Sequence, residues 1–164
     1  MKSFILIWSG ILVSMYLQAQ TVRHEEMLGR PTDKSITLQL IFSEVAEVAI
    51  KFGLTSDIYT SQTPWKTYQA DEPVEIILDN LLPDTRYYYR VVHRKPGENS
   101  LITRKQGQFH TQRSKGTPFT FIIQADPHLD EQSDSAVYKR CLLNQLEDNP
   151  DFMVDLGDVL MSDK

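Results

Sequence analysis

The chain contains 164 residues, of which 17 are Lys or Arg and 22 are Asp or Glu, so its formal net charge is −5. With 41% hydrophobic and 24% charged residues it has the composition of a folded globular protein, which argues against a disordered or fibrous chain. The net negative charge argues against a nucleic-acid-binding surface, and the single cysteine, Cys141, excludes an internal disulfide.

The N-terminus has a pattern of its own. Lys2 precedes an apolar stretch that runs from Phe4 to Leu17, and the small residue Ala19 follows. The stretch is shorter than the roughly 20 residues that a membrane-spanning helix needs, and the order of its parts is typical of a secretory signal. We therefore predict a signal peptide over residues 1–19, export to the periplasm or outside the cell, and no membrane span after its removal. An uncleaved N-terminal anchor is the alternative.

The next part of the chain reads as short strands separated by turns. Alternation of apolar and polar residues is clearest in residues 35–42, where one face carries Ile36, Leu38, Leu40 and Phe42. Further strands are predicted over residues 45–53, 73–81, 85–94 and 101–111. Short strands at this spacing predict an antiparallel sandwich.

The segment that leads into the strand predicted over residues 85–94 adds a more specific signal. Leu82, Pro83, Thr85 and Tyr87 resemble the corner that leads into a late strand of fibronectin type III domains. The resemblance implies that the Tyr87 ring is buried and that its hydroxyl is hydrogen-bonded to the preceding loop. We therefore predict a fibronectin III-like domain over residues 20–112.

A second pattern begins after the linker, residues 112–118. Residues 119–125 are apolar at nearly every position, which is typical of a strand covered on both faces in a parallel sheet. A helix is predicted from Ser133, as its N-cap, to a stop at Pro150, and another strand follows. Strand, helix and strand in this order predict two parallel neighbours. The expected fold is therefore mainly β, a sandwich followed by a β–α–β unit.

Three side chains follow the ends of these two strands. Asp126 and His128 come directly after the first, and Asp158 comes after the second, behind Gly157. Carboxyl ends of neighbouring parallel strands meet at one edge of a sheet, where ligands collect. Two carboxylates and an imidazole suit Zn, Fe or Mn better than Ca. Asp126, His128 and Asp158 are therefore candidate metal ligands. The alternative is that the two aspartates only cap loops.

The residues Asp126-Pro127-His128 and Gly157-Asp158 resemble the first two motifs of the calcineurin-like metallophosphoesterases. The preceding sandwich is similar to the N-terminal domain of purple acid phosphatases. The resemblance implies an exported hydrolase of phosphate mono- or diesters that uses two divalent or mixed-valence transition metal ions, Fe, Zn or Mn. It implies that Asp126 and His128 bind the first metal, that Asp158 bridges both, and that a hydroxide held by the metals attacks phosphorus.

The later motifs of that family are absent after Asp158. We therefore expect residues 117–164 to be the beginning of a longer catalytic domain, the chain to be an incomplete enzyme, and no catalytic residue beyond the three ligands to lie within it. Its expected partner is a phosphate ester substrate. The alternative is a non-catalytic fibronectin III-like binding or spacer module.

Overall fold

A computed structural model describes residues 22–130 and 133–159. The predicted signal peptide, residues 1–19, lies outside the described residues. The first part of the chain forms β1 (Val22–Gly29), β2 (Ile36–Phe42), β3 (Ala46–Gly53), β4 (Ser61–Gln62), β5 (Lys66–Tyr68), β6 (Pro73–Leu78), β7 (Arg86–Arg94), β8 (Ile102–Thr103) and β9 (Gly107–His110). The second part forms β10 (Phe121–Gln124), α1 (Ser135–Glu147) and β11 (Phe152–Asp155).

Strands β1 to β9 make two antiparallel sheets. One sheet has the order β1-β2-β6. The other has the order β4-β3-β7-β8, with β5 paired to β3 and β9 paired to β7. The chain is mainly β, and the two sheets form a fibronectin III-like sandwich, which confirms the predicted fold class. We call β1–β9 the sandwich and β10, α1 and β11 the β–α–β unit.

The core of the sandwich follows from the two-residue period of its strands. Every second residue of β2, β6 and β7 is buried, and these side chains meet in one cluster. Its largest fully buried aliphatic members are Leu38, Leu40, Ile50 and Leu78. The alternation predicted for residues 35–42 is therefore confirmed.

The predicted tyrosine corner is also present. Tyr87 is buried and its hydroxyl accepts a hydrogen bond of 2.9 Å from the backbone N–H of Leu82. Thr111 completes the corner, because its hydroxyl oxygen accepts from the N–H of Thr85 (2.9 Å) and its proton is donated to the carbonyl of Leu82 (2.8 Å). The corner thus joins the loop before β7 to the residue that follows β9.

Two predictions in the sandwich differ from the structure. The strand predicted over residues 101–111 is divided into β8 and β9. Between them, the side-chain oxygen of Gln106 accepts hydrogen bonds of 2.7 Å from the N–H of Asp57 and the hydroxyl of Tyr59, so residues 104–106 leave the strand pattern. The short strands β4 and β5, which pair with opposite ends of β3, were not predicted, and neither was β1, which pairs with β2.

The β–α–β unit has the predicted order, and β10 and β11 are parallel neighbours. The apolar pattern of residues 119–125 is typical of a strand covered on both faces, but Phe121 and Ile123 are 45% and 58% exposed in the described chain. No described residue of α1 is buried. Two short strands and one helix offer too little surface to enclose a core. Within residues 22–130 and 133–159, no helix is long and apolar enough to cross a membrane.

The N-cap of α1 differs from the prediction by one residue. The capping residue is Asp134, whose carboxylate accepts hydrogen bonds from the N–H groups of Ala136 (2.8 Å) and Val137 (3.3 Å). Ser133, the predicted cap, instead accepts a bond from the N–H of Asp130 at 2.9 Å. Serine and aspartate are about equally good N-caps. The sequence alone therefore did not show which of the adjacent residues Ser133 and Asp134 caps the helix.

Candidate metal centre

The candidate ligands lie in the two loops that follow β10 and β11. The strands are in register from Phe121 opposite Phe152 to Gln124 opposite Asp155, so both end at the same edge of the pair. Asp126 and His128 belong to the loop after β10, and Asp158 belongs to the loop after β11. The strand ends therefore bring the two loops side by side, as the sequence predicted.

Backbone hydrogen bonds continue between these loops beyond the strands. The N–H of Leu156 donates to the carbonyl of Gln124 at 3.0 Å, and the N–H of Asp126 donates to the carbonyl of Gly157 at 3.2 Å. The N–H of His128 then donates to the carbonyl of Asp158 at 3.1 Å. Each loop thus holds the other, and the positions of all three candidate ligands are coupled through the main chain.

All three candidate ligands have left-handed backbone conformations. The φ angles of Asp126, His128 and Asp158 are 51°, 46° and 52°, and Gly157 has a φ of 104°. A side-chain-bearing residue in this region costs of the order of 1–3 kcal/mol and persists only where its surroundings hold it. The bonds between the loops provide that support. Such conformations often accompany functional sites.

One potential ligand atom from each of Asp126, His128 and Asp158 lies within 4.8 Å of the others. Within this cluster, Asp126 Oδ1 and His128 Nε2 are 3.7 Å apart. All three side chains are exposed, so ions and ligands reach them from solvent. Two carboxylates and an imidazole form a donor set that fits Zn, Fe or Mn.

A group of supporting residues lies beside the candidate ligands. The side chain of Asp155 accepts a hydrogen bond of 2.9 Å from the N–H of Gly157 and another from Nε2 of Gln124. The bond from Gln124, and then that from Gly157, hold the pKa of the Asp155 carboxyl below its usual value. Nε2 of Gln124 also donates to the hydroxyl of Tyr138 on α1 at 3.0 Å. The available signal in the sequence was an aspartate two residues before a glycine, a common turn arrangement.

A cavity of about 460 Å³ lies at the opposite ends of β10 and β11, where the linker meets the starts of these strands. Its lining includes His110, Lys115 and Phe152, and none of the candidate ligands. Arg113, also in the lining, donates from Nε to the carboxylate of Asp151 at 2.8 Å. This pair joins the linker to the residue before β11.

No protein-family model matches the chain, and no curated protein matches it. Among solved structures, a structure of PhoD aligns with 81% of this chain and 27% of its own chain, at 19% identity and a TM-score of 0.56. The fibronectin type-III domain of human fibronectin type III domain containing protein 3 aligns with 60% of this chain and 89% of its own, at 14% identity and a TM-score of 0.41.

The alignment with PhoD covers more residues than the sandwich contains, so the likeness extends beyond the sandwich. At 19% identity it shows similarity of fold. The chain spans 27% of the length of the PhoD chain. The chain is therefore similar in fold to part of PhoD.

Proposed function

We propose that Asp126, His128 and Asp158 bind a transition metal ion. The observation that carries this proposal is their convergence: residues from two loops, 30 positions apart between His128 and Asp158, place ligand atoms within 4.8 Å of one another. Loop-capping alone would explain each aspartate separately, but it does not require an imidazole at the same point. Asp126 and His128 would hold one ion, and Asp158 would be shared between that ion and a second one.

We further propose that the site belongs to an exported hydrolase of phosphate mono- or diesters that uses Fe, Zn or Mn. Residues 20–112 form its first domain and residues 117–164 begin its catalytic domain. The fold likeness to part of PhoD supports this arrangement. Bound ions supply a water of lowered pKa and positive charge that stabilises phosphoryl oxygens. The residues of this chain hold and orient the ions, and their exposure leaves room for a phosphate ester.

A second candidate function is a non-catalytic fibronectin III-like module. The observation that favours it is the distribution of buried side chains, because the buried residues of the described chain all lie between Ile36 and Thr111. The sandwich therefore has a core of its own, whereas the β–α–β unit has none. In this case the β–α–β unit would bind no metal ion.

Metal content distinguishes the two candidates. The 164-residue chain is loaded with Mn²⁺ or Zn²⁺, dialysed, and measured by elemental analysis beside its Asp158→Asn, His128→Ala and Asp148→Asn variants. We expect bound metal in the unaltered chain and in the Asp148→Asn control, whose substitution lies at the C-cap of α1. Asp158→Asn and His128→Ala are each expected to lose bound metal, because each substitution removes one of the three proposed ligands. Wild-type metal content in the Asp158→Asn variant would remove the assignment.

A further inference from the structure

Asp155 is the last residue of β11 and lies three positions before Asp158. Both of its carboxylate oxygens take part in hydrogen bonds. Oδ1 accepts from the N–H of Gly157 at 2.9 Å, and Oδ2 accepts from Nε2 of Gln124, the residue opposite it on β10. Asp155 is not one of the three clustered candidate ligands. Its carboxylate instead accepts hydrogen bonds from other groups of the protein.

The turn at Gly157 and Asp158 is hydrogen-bonded to Asp155 and also to the loop that follows β10. The carbonyl of Gly157 accepts from the N–H of Asp126, and the carbonyl of Asp158 accepts from the N–H of His128. Gly157 has a φ of 104°, a conformation that glycine enters easily and also leaves easily. The bond from its N–H to Asp155 removes part of that freedom.

Gln124 connects this turn to the helix. One of its two Nε2 hydrogens is directed to Asp155 and the other to the hydroxyl of Tyr138 on α1, at 3.0 Å. An amide nitrogen has two hydrogens to donate, so these two bonds use its full donor capacity. Gln124 on β10, which is itself bonded to Tyr138 on α1, therefore holds the Asp155 carboxylate in place.

We propose that Asp155 is a positioning residue of the metal centre, which holds the Gly157–Asp158 turn so that the Asp158 carboxylate meets Asp126 and His128. This inference rests on the proposed metal site. Without the Asp155 bond, the turn samples more conformations, and only a fraction of the chains presents all three ligands together. The apparent metal affinity then falls in proportion to that fraction.

The test is a Co²⁺ titration of the 164-residue chain, followed by the visible absorption of the bound ion. Asp155→Asn retains an oxygen that accepts from the N–H of Gly157 but replaces the acceptor that faces Nε2 of Gln124 by an NH2 group, whereas Asp155→Leu removes both acceptors at similar volume. Asp151→Asn is the matched control, since it removes a carboxylate next to the other end of β11, where the partner is Arg113. Replacements of residues that support metal ligands typically weaken metal binding about 10–100-fold. We expect at least tenfold weaker binding for Asp155→Leu, a smaller loss for Asp155→Asn, and near-unaltered binding for the control.

Gln124→Leu is the second variant, in case Asp155→Leu disturbs the fold of the unit. It removes the bond to Oδ2 of Asp155 and leaves the Gly157 bond in place, so we expect a smaller loss than for Asp155→Leu. Equal Co²⁺ affinity in Asp155→Leu and the unaltered chain would overturn the inference. Asp155→Asn binding as weakly as Asp155→Leu would also overturn it, because charge would then matter rather than the bond to Gly157. An unaltered chain that binds no Co²⁺ would overturn the proposed metal site itself.

Discussion

At the scale of single residues, the tyrosine corner carries a measurable share of the stability of the sandwich. The Tyr87 ring stacks on Phe109 with centroids 5.5 Å apart, and its hydroxyl is the acceptor for the N–H of Leu82. Removing the hydroxyl leaves the ring packing in place and deprives a partly buried N–H of its acceptor. The energetic effect therefore reports on the hydrogen bond alone.

We predict that Tyr87→Phe lowers the free energy of unfolding by about 0.5–1.5 kcal/mol, the usual range for one hydrogen bond. Chemical denaturation of the 164-residue chain measures it. The adjacent Tyr88 is a matched control, because it lies on the opposite face of β7 and is only half-buried. Tyr88→Phe is expected to change stability by less. An equal loss in both variants would contradict the role of the corner.

His93 gives the sandwich a pH dependence. It is buried at the end of the inward-facing row of β7, and its ring centroid is 5.0 Å from that of Phe42. Burial, with a smaller contribution from the charge of Arg104, lowers the pKa of His93 to about 4. The unfolded chain has a histidine pKa near 6.5. Between these two values the unfolded chain binds a proton that the folded chain does not.

We therefore predict that the free energy of unfolding decreases as the pH falls from about 6.5 to about 4, by at most about 3 kcal/mol from this residue. Urea unfolding at several pH values measures the slope, and His93→Gln should flatten it in this window. The carboxyl pKa values of Asp84 and Asp151, which are lowered, contribute mainly below this range. Identical slopes in the two proteins would show that His93 is not the group that titrates.

The candidate site illustrates what residues alone can predict. Asp126, His128 and Asp158 were identifiable because each follows an apolar strand and because parallel strands end at one edge. The hydrogen bonds of Asp155 and Gln124 were not identifiable, since they depend on a turn conformation and on the register that places the two residues opposite each other. Side-chain hydrogen bonds to a turn leave no periodic residue pattern in the sequence from which they could be predicted.

At the scale of elements, most of the long strands were predictable and the short ones were not. The exception is β1, whose eight residues show no apolar alternation and which was not predicted. β2, β3 and β7 have seven to nine residues, enough for a two-residue period to emerge. β4 and β5 have two and three residues, and their pairing with β3 decides that they are strands. The boundary between β8 and β9 depends on contacts of Gln106 with residues almost 50 positions away.

The sandwich is expected to fold without the β–α–β unit, because the described buried side chains lie within residues 36–111. We predict that residues 20–112, expressed alone, show a single cooperative thermal transition followed by circular dichroism. Leu38→Ala is expected to lower the free energy of unfolding by about 2–5 kcal/mol, as is usual for a fully buried leucine. Exposed Leu54→Ala is the control. A gradual melt without a transition would show that the sandwich needs the rest of the chain.

At the scale of the whole molecule, we predict that the 164-residue chain hydrolyses phosphate esters negligibly. Among residues 22–130 and 133–159, one cluster of three or more His, Cys, Asp or Glu ligand atoms is found, and three ligands do not enclose two ions. The proposed chemistry depends on water activated between two ions. The assay is turnover of an aryl phosphate and of an aryl phosphodiester by the metal-loaded chain. Turnover that a chelator and Asp158→Asn both abolish would contradict this prediction.

The backbone bonds between the two ligand loops also make the site observable without any assay of activity. The amide protons of Asp126, His128 and Leu129 are all donated to carbonyls of the other loop. Their exchange with solvent deuterium therefore reports how often the loops separate. An ion that binds both loops slows that separation, and its free energy of binding appears as added protection at these amides. Amides in the middle of β3 and β7 exchange through opening of the sandwich, so they serve as an internal reference in the same spectrum.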